Sequence, residues 1–183
     1  KHLLDTITRF AMLVRVAIRV IRQIIVMLLK KYKNVHVILA EGNHDISSSI
    51  WLRETFGAFF SDNPRVTIDQ TAIPYYAFVF GKCLLFYSHS HTKKIKDLDT
   101  TLVAYYKVEF GKAEYVYCHT GHLHHQLLLE TNLMVLEQHG TLSPKDSHSV
   151  RSGYDSKRGS KIITYHKDFG EVAMLTINPD MLK

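Results

Sequence analysis

Three short motifs carry the residue types in this chain that could do chemistry: Gly42-Asn43-His44-Asp45, Ser88-His89-Ser90-His91 and Gly121-His122-Leu123-His124. Imidazole nitrogen and amide oxygen are suitable ligands for first-row divalent metals. Each motif follows an apolar run that reads as a buried strand, namely Val35 to Leu39, Cys83 to Tyr87 and Tyr115 to Cys118. Strand ends are where an α/β sheet presents ligands to a crevice, so three such motifs at three strand ends predict one shared metal site. Gly42 and Gly121 are expected to let the backbone turn tightly, aiming the following side chains back over the sheet edge.

The order of the three motifs resembles that of the calcineurin-like metallophosphoesterases, and within them the phage and bacterial DNA-repair-type exonucleases. The resemblance implies roles residue by residue. Asn43, His89 and His122 match the ligands of the second metal, and His124 matches a ligand of the first. His44 matches the histidine that contacts the phosphate and protonates the leaving oxygen, with Asp45 as its supporting residue. It also implies two divalent ions, manganese first, with iron, zinc and nickel as alternatives. His91 and His119 flank these positions and are read as orienting the ligands, His125 less so. His2, His36, His139 and His166 are read as hydrogen-bonded polar groups near strand ends.

The family opens with Asp-x-His and Gly-Asp-x-x-Asp/Asn motifs, and neither stands upstream of Gly42; the chain contains no Gly-Asp pair, and Asp146-Ser147-His148 lies in a polar stretch after the third motif. The resemblance is therefore to the C-terminal part of such an enzyme. It implies a single partial domain over residues 1–183, an α/β fold of the four-layer α/β/β/α sandwich type without its first strands, and little activity from the chain alone.

The elements that must position these residues follow from periodicity. Apolar residues at Ile7, Phe10, Val14, Ala17, Ile21, Ile24 and Leu28 predict a helix from about Asp5 to Lys31 with those residues on its buried face. Further expectations are a helix over Ile46 to Phe60, strands at Val66 to Ile68 and Tyr75 to Phe80, and a Gly81-Lys82 turn into the strand from Cys83. Lys93 to Phe110 reads as a surface helix, and Leu127 to Leu129 and Met134 to Leu136 as strands. Thr141 to Ser160 reads as a long polar loop before a closing hairpin of Ile162 to Tyr165 and Val172 to Ile177.

The 183 residues are 46% hydrophobic and 22% charged, which suits a globular domain rather than a disordered chain. A formal charge of +6 favours a polyanionic partner, and with the basic stretch from Arg151 to Lys161 it makes nucleic acid the expected one. Four arginines between Arg9 and Arg22 argue against a transmembrane span, and no membrane partner is expected. Two cysteines without metal or redox spacing point to a reduced, cytoplasmic setting. The reading that joins these expectations is a metal-dependent phosphodiesterase or nuclease. Phosphomonoester or cyclic-nucleotide hydrolysis stays open beside it, as does a module that keeps the fold and binds DNA or protein without catalysis. A structural zinc protein fits less well, because such sites usually contain thiolates.

Overall fold

The structure, a computed structural model, describes residues 10–144 and 157–182. Asp5, Ile7, the Asp146-Ser147-His148 triplet and much of the basic stretch from Arg151 lie outside the described residues. The chain forms two compact units, Lys1–Ala72 and Ile73–Lys183.

The first unit is a β-α-β arrangement preceded by a long helix. Helix α1 (Phe10–Leu29) leads to β1 (Val35–Val37), α2 (Ile46–Phe59) and β2 (Val66–Ile68), and β1 and β2 pair in parallel with Val35 opposite Val66. Its core is Ile25, Val35 and Phe56, packed with Ile18, Ile21, Leu29, Leu52 and Ile68. The buried stripe of α1 holds where expected at Ile21, with Val14 and Ala17 half-buried, but its last two turns run one residue later than the apolar pattern suggested: Ile25 and Leu29 pack inward, whereas Ile24 and Leu28, like Phe10 at the start, are exposed. The helix is apolar on more than one face, so periodicity alone could not choose between adjacent stripes. In α2 the buried residues Ser49, Arg53 and Phe56 follow helical spacing, and the Arg53 guanidinium donates to the Thr71 carbonyl.

The second unit is a mixed five-stranded sheet of β3 (Tyr76–Phe80), β4 (Cys83–Ser88), β5 (Tyr115–Thr120), β6 (Leu127–Glu130) and β7 (Val135–Gln138), in the order β3-β4-β5-β7-β6. Strands β4, β5 and β7 run parallel, while β3 and β6 are antiparallel edges. Between β4 and β5 come a 3-10 turn (Ile95–Asp97), α3 (Leu98–Tyr105) and the short α4 (Lys107–Phe110). The chain closes with a hairpin, β8 (Ser160–His166) and β9 (Gly170–Ile177).

The alternation of each strand assigns its two faces to different neighbours. Leu84, Phe86, Cys118 and Leu136 pack with Leu98 and Leu102 of α3, and all six are fully buried. The segment expected to be a surface helix therefore supplies core: its lysines mask the spacing of Leu98 and Leu102, and it breaks at Tyr106, whose hydroxyl donates to the Tyr75 carbonyl. On the opposite face β8 lies over the sheet, with Tyr165 against Tyr117 and His119 and with the Cys83 thiol donating to the His166 carbonyl. Within the second unit, helices, sheet and hairpin thus stack as three layers, and the chain has the α/β class expected of it. Cys83 and Cys118 are free, buried thiols, and burial, reinforced by Asp99, pushes Cys118 up to about 12. Among the described residues no helix is long and apolar enough to cross a membrane.

Candidate metal centre

Two groups of imidazoles lie in the second unit. The first gathers where β4 and β5 end. These strands are parallel neighbours, with Ser88 opposite Thr120, so both deliver their following residues to the same edge of the sheet. There the rings of His89 and His122 have centroids 5.1 Å apart, His89 and His91 5.4 Å, and His91 and His122 6.4 Å. The Nδ1 atom of His91 is buried and has no hydrogen-bond partner. An imidazole nitrogen withdrawn from water without a partner is costly, and a cation is one group that would satisfy it.

Backbone conformation aims these rings. Ser90, His122 and His124 have φ of 67°, 72° and 58°, in the left-handed region that side chains rarely adopt. Among the described glycines, only Gly81 and Gly170 have positive φ. The tight turning expected of Gly121 thus falls on His122 and His124 after β5, Ser90 turns the chain in the same way after β4, and Gly42, after β1, does not use the left-handed region. Ser90 is held there by its hydroxyl, which donates to the Lys93 carbonyl over 2.7 Å, and by its amide, which donates to Ser88 Oγ. The turn bearing His122 is tied to β7: the amide of Gln138, a side chain only 1% exposed, donates to the His125 carbonyl over 2.9 Å. His124 lies exposed in that turn and makes no ring contact with the three clustered histidines.

Asn43, His44 and Asp45 belong to the first unit, exposed at the entry to α2. Asp45 precedes the helix, and its carboxylate accepts from the Gly42 amide at 2.6 Å, which closes the motif into a turn.

The second group was not legible as a site in the sequence. His119 on β5 stands opposite Glu137 on β7, and His139 follows two residues later on the same side. His119, Glu137 and His139 each offer a ligand atom, and these atoms all lie within 4.8 Å of one another; no other group of three or more His, Cys, Asp or Glu among the described residues does so. His119 Nδ1 and His139 Nε2 share a hydrogen bond of 2.9 Å, and His119 Nε2 is 2.7 Å from the Tyr165 hydroxyl. Lys161 forms an ion pair with Glu137. Burial, followed by the nearby charge of His139, lowers His119 to about 4, so its imidazole is neutral at pH 7. His139 is lowered for the same first reason, against the opposing pull of Glu137. Burial pushes Tyr165 up, which keeps its phenol protonated.

The expected roles of His119, as an orienting neighbour, and His139, as an isolated polar group, are therefore joined in one buried cluster with a carboxylate. Such a His/Glu/His group suits a divalent metal ion. Of the basic stretch, Lys161 is turned inward to Glu137, and Arg158 donates through Nε to the Leu142 carbonyl.

No family model and no curated protein matches the chain. A solved structure, that of a conserved uncharacterized protein described as a predicted phosphoesterase from Streptococcus pneumoniae TIGR4, is similar at 13% identity and a TM-score of 0.31, covering 79% of this chain and 95% of that one. At that score the α/β class rests on the chain's own strands and helices.

Proposed function

We propose that this chain carries the metal-binding C-terminal part of a metal-dependent phosphoester hydrolase, with a phosphodiester of nucleic acid as its first substrate class. The observation that carries the reading is the cluster of His89, His91 and His122 at the ends of two parallel strands, with a buried, unpartnered nitrogen on His91. His89 and His122 are the residues that would hold a divalent ion, and His91 would orient or join them. Divalent ions bound in such a site supply Lewis-acid stabilisation of phosphate charge and lower the pKa of water. The chain's own contributions are positioning and proton transfer. The resemblance of the motifs assigns the remaining roles: Asn43 and His124 would be further ligands, His44 would be the proton donor to the leaving oxygen, and Asp45, which closes the turn at Gly42, would support His44. The net charge of +6 supports a nucleic-acid substrate, and the inward commitment of Lys161 reduces the support that the basic stretch gives it.

The test pairs metal content with turnover. The gene product at its full encoded length is assayed with manganese on a chromogenic phosphodiester, the matching phosphomonoester and single-stranded DNA. Diester hydrolysis is expected to exceed monoester hydrolysis. His122→Ala should lower both bound manganese and turnover, whereas His44→Ala should lower turnover far more than metal content. Equal metal loss in the two variants would overturn the division of roles, and salt-sensitive DNA binding with no metal-stimulated cleavage would make the protein a binding module.

A further inference from the structure

The second cluster holds a site that the proposed hydrolase does not use. We propose that His119, Glu137 and His139 form a separate zinc site, with two imidazoles and one carboxylate as ligands, set between the five-stranded sheet and the closing hairpin.

The spacing supports an ion of this size. Ligand atoms around a tetrahedral zinc with bonds of about 2.0–2.1 Å stand roughly 3.4 Å apart. Here one ligand atom from each of His119, Glu137 and His139 can be chosen so that all three lie within 4.8 Å of one another, and His119 Nδ1 is 2.9 Å from His139 Nε2 and 3.9 Å from Glu137 Oε2, so side-chain adjustments of about an ångström would bring the three to that spacing. Two imidazoles and a carboxylate on a neutral-pH scaffold are a ligand set that zinc takes, with the fourth position left to water.

The surroundings fit as well. A histidine that binds metal through one nitrogen nearly always donates from the other, which fixes its tautomer. His119 Nε2 meets the Tyr165 hydroxyl at 2.7 Å, so Nδ1 is the nitrogen turned toward Glu137 and His139. His139 Nδ1 is buried and lacks a hydrogen-bond partner, as does His91 Nδ1 among the described residues of this unit. The Glu137 side chain is 9% exposed and its charge is balanced by the Lys161 ammonium. Zinc would take over that balancing, and the four-carbon stem of Lys161 lets its ammonium withdraw. His119 lies on β5, Glu137 on β7 and His139 just beyond its end, and Tyr165 and Lys161 lie on β8, so occupancy would fasten the hairpin to the sheet.

The experiment first disables the other imidazole cluster by removing two of its three rings. The full chain carrying His89→Ala and His122→Ala is dialysed against zinc near neutral pH and analysed for metal, with cobalt as a spectroscopic substitute. One equivalent of zinc and a tetrahedral cobalt spectrum are expected, and adding His139→Ala should abolish both. Because this background lacks His89 and His122, the two imidazoles on which the proposed catalytic ions chiefly depend, and because the His139→Ala comparison assigns the zinc to the second cluster, its result is independent of the hydrolase reading. In the same background Lys161→Met should tighten zinc binding by about tenfold or more, since it removes a competing cation. No zinc in the doubly substituted chain, zinc retained after His139→Ala, or unchanged or weaker affinity after Lys161→Met would each overturn the proposal.

Discussion

Gly81→Ala is the substitution whose cost can be worked most fully from the structure of the second unit. Gly81 turns β3 into β4 with φ of +59°, and a Cβ there would lie 2.4 Å from the Lys167 carbonyl oxygen and 2.6 Å from the Lys167 Cβ. Three penalties combine. The left-handed backbone costs a residue with a side chain about 1–2 kcal/mol. Forcing apart two packed turns costs about 1–3 kcal/mol, because the nearest atoms belong to the rigid backbone of the β8–β9 turn. Displacing that turn also breaks the hydrogen bond from the Lys82 amide to the Lys167 carbonyl, present at 2.6 Å, for about 1 kcal/mol more. The sum is about 3–6 kcal/mol, which shifts a urea midpoint by roughly 2 M. Far-UV circular dichroism is the suitable probe, since the single tryptophan, Trp51, is 75% exposed and lies in the first unit. Gly121→Ala is the control: its φ is not left-handed and its Cβ would meet nothing nearer than His89 Nδ1 at 3.7 Å, so it should change stability by less than about 0.5 kcal/mol. Equal urea midpoints for the two variants would refute the reasoning.

Two further outcomes follow from the clusters. In chelator-treated protein, His119 is lowered from 6.5 to about 4 on folding, so the unfolded chain takes up its proton first as pH falls. The associated stability is fully present above pH 6.5, is lost as pH drops toward 4, and amounts to ~3 kcal/mol. The urea midpoint should fall more steeply over that window in the parent than in His119→Asn, and parallel slopes would count against a buried neutral His119. Gln138→Leu removes the donor that holds the His125 carbonyl. Amide hydrogen exchange across residues 121–126 should then quicken while β4 and β5 stay protected; unchanged exchange would show that the turn is held by other means.

The strands flanking the motifs were legible because each is a short apolar run cut off by turn residues, and Val66–Ile68 and the Gly81-Lys82 turn fall where the sequence placed them. Local pattern could not show which apolar stripe of α1 packs inward, since that depends on what covers it. It also hid the core role of Leu98 and Leu102 beneath the charges of their neighbours. The His119, Glu137 and His139 cluster was missed for a different reason. The apolar run of β7 reads as ending at Leu136, but the strand continues to Gln138, and the pairing of His119 with Glu137 is a register between strands with no local signature. A usable signal was present in Glu137-Gln138-His139, two polar groups at alternate positions that share one face of a strand.

The left-handed backbone at Ser90, His122 and His124 sets two selection pressures against each other. At all three positions glycine is the residue that would relieve the conformation, and it would remove the side chain that the turn displays. A library screened for heat resistance alone should therefore drift toward glycine at these positions and lose the imidazoles at 122 and 124. One screened for metal retention should keep those imidazoles and gather its stabilising changes elsewhere. How far the two populations diverge would measure how much stability this chain gives up to hold its histidines in place.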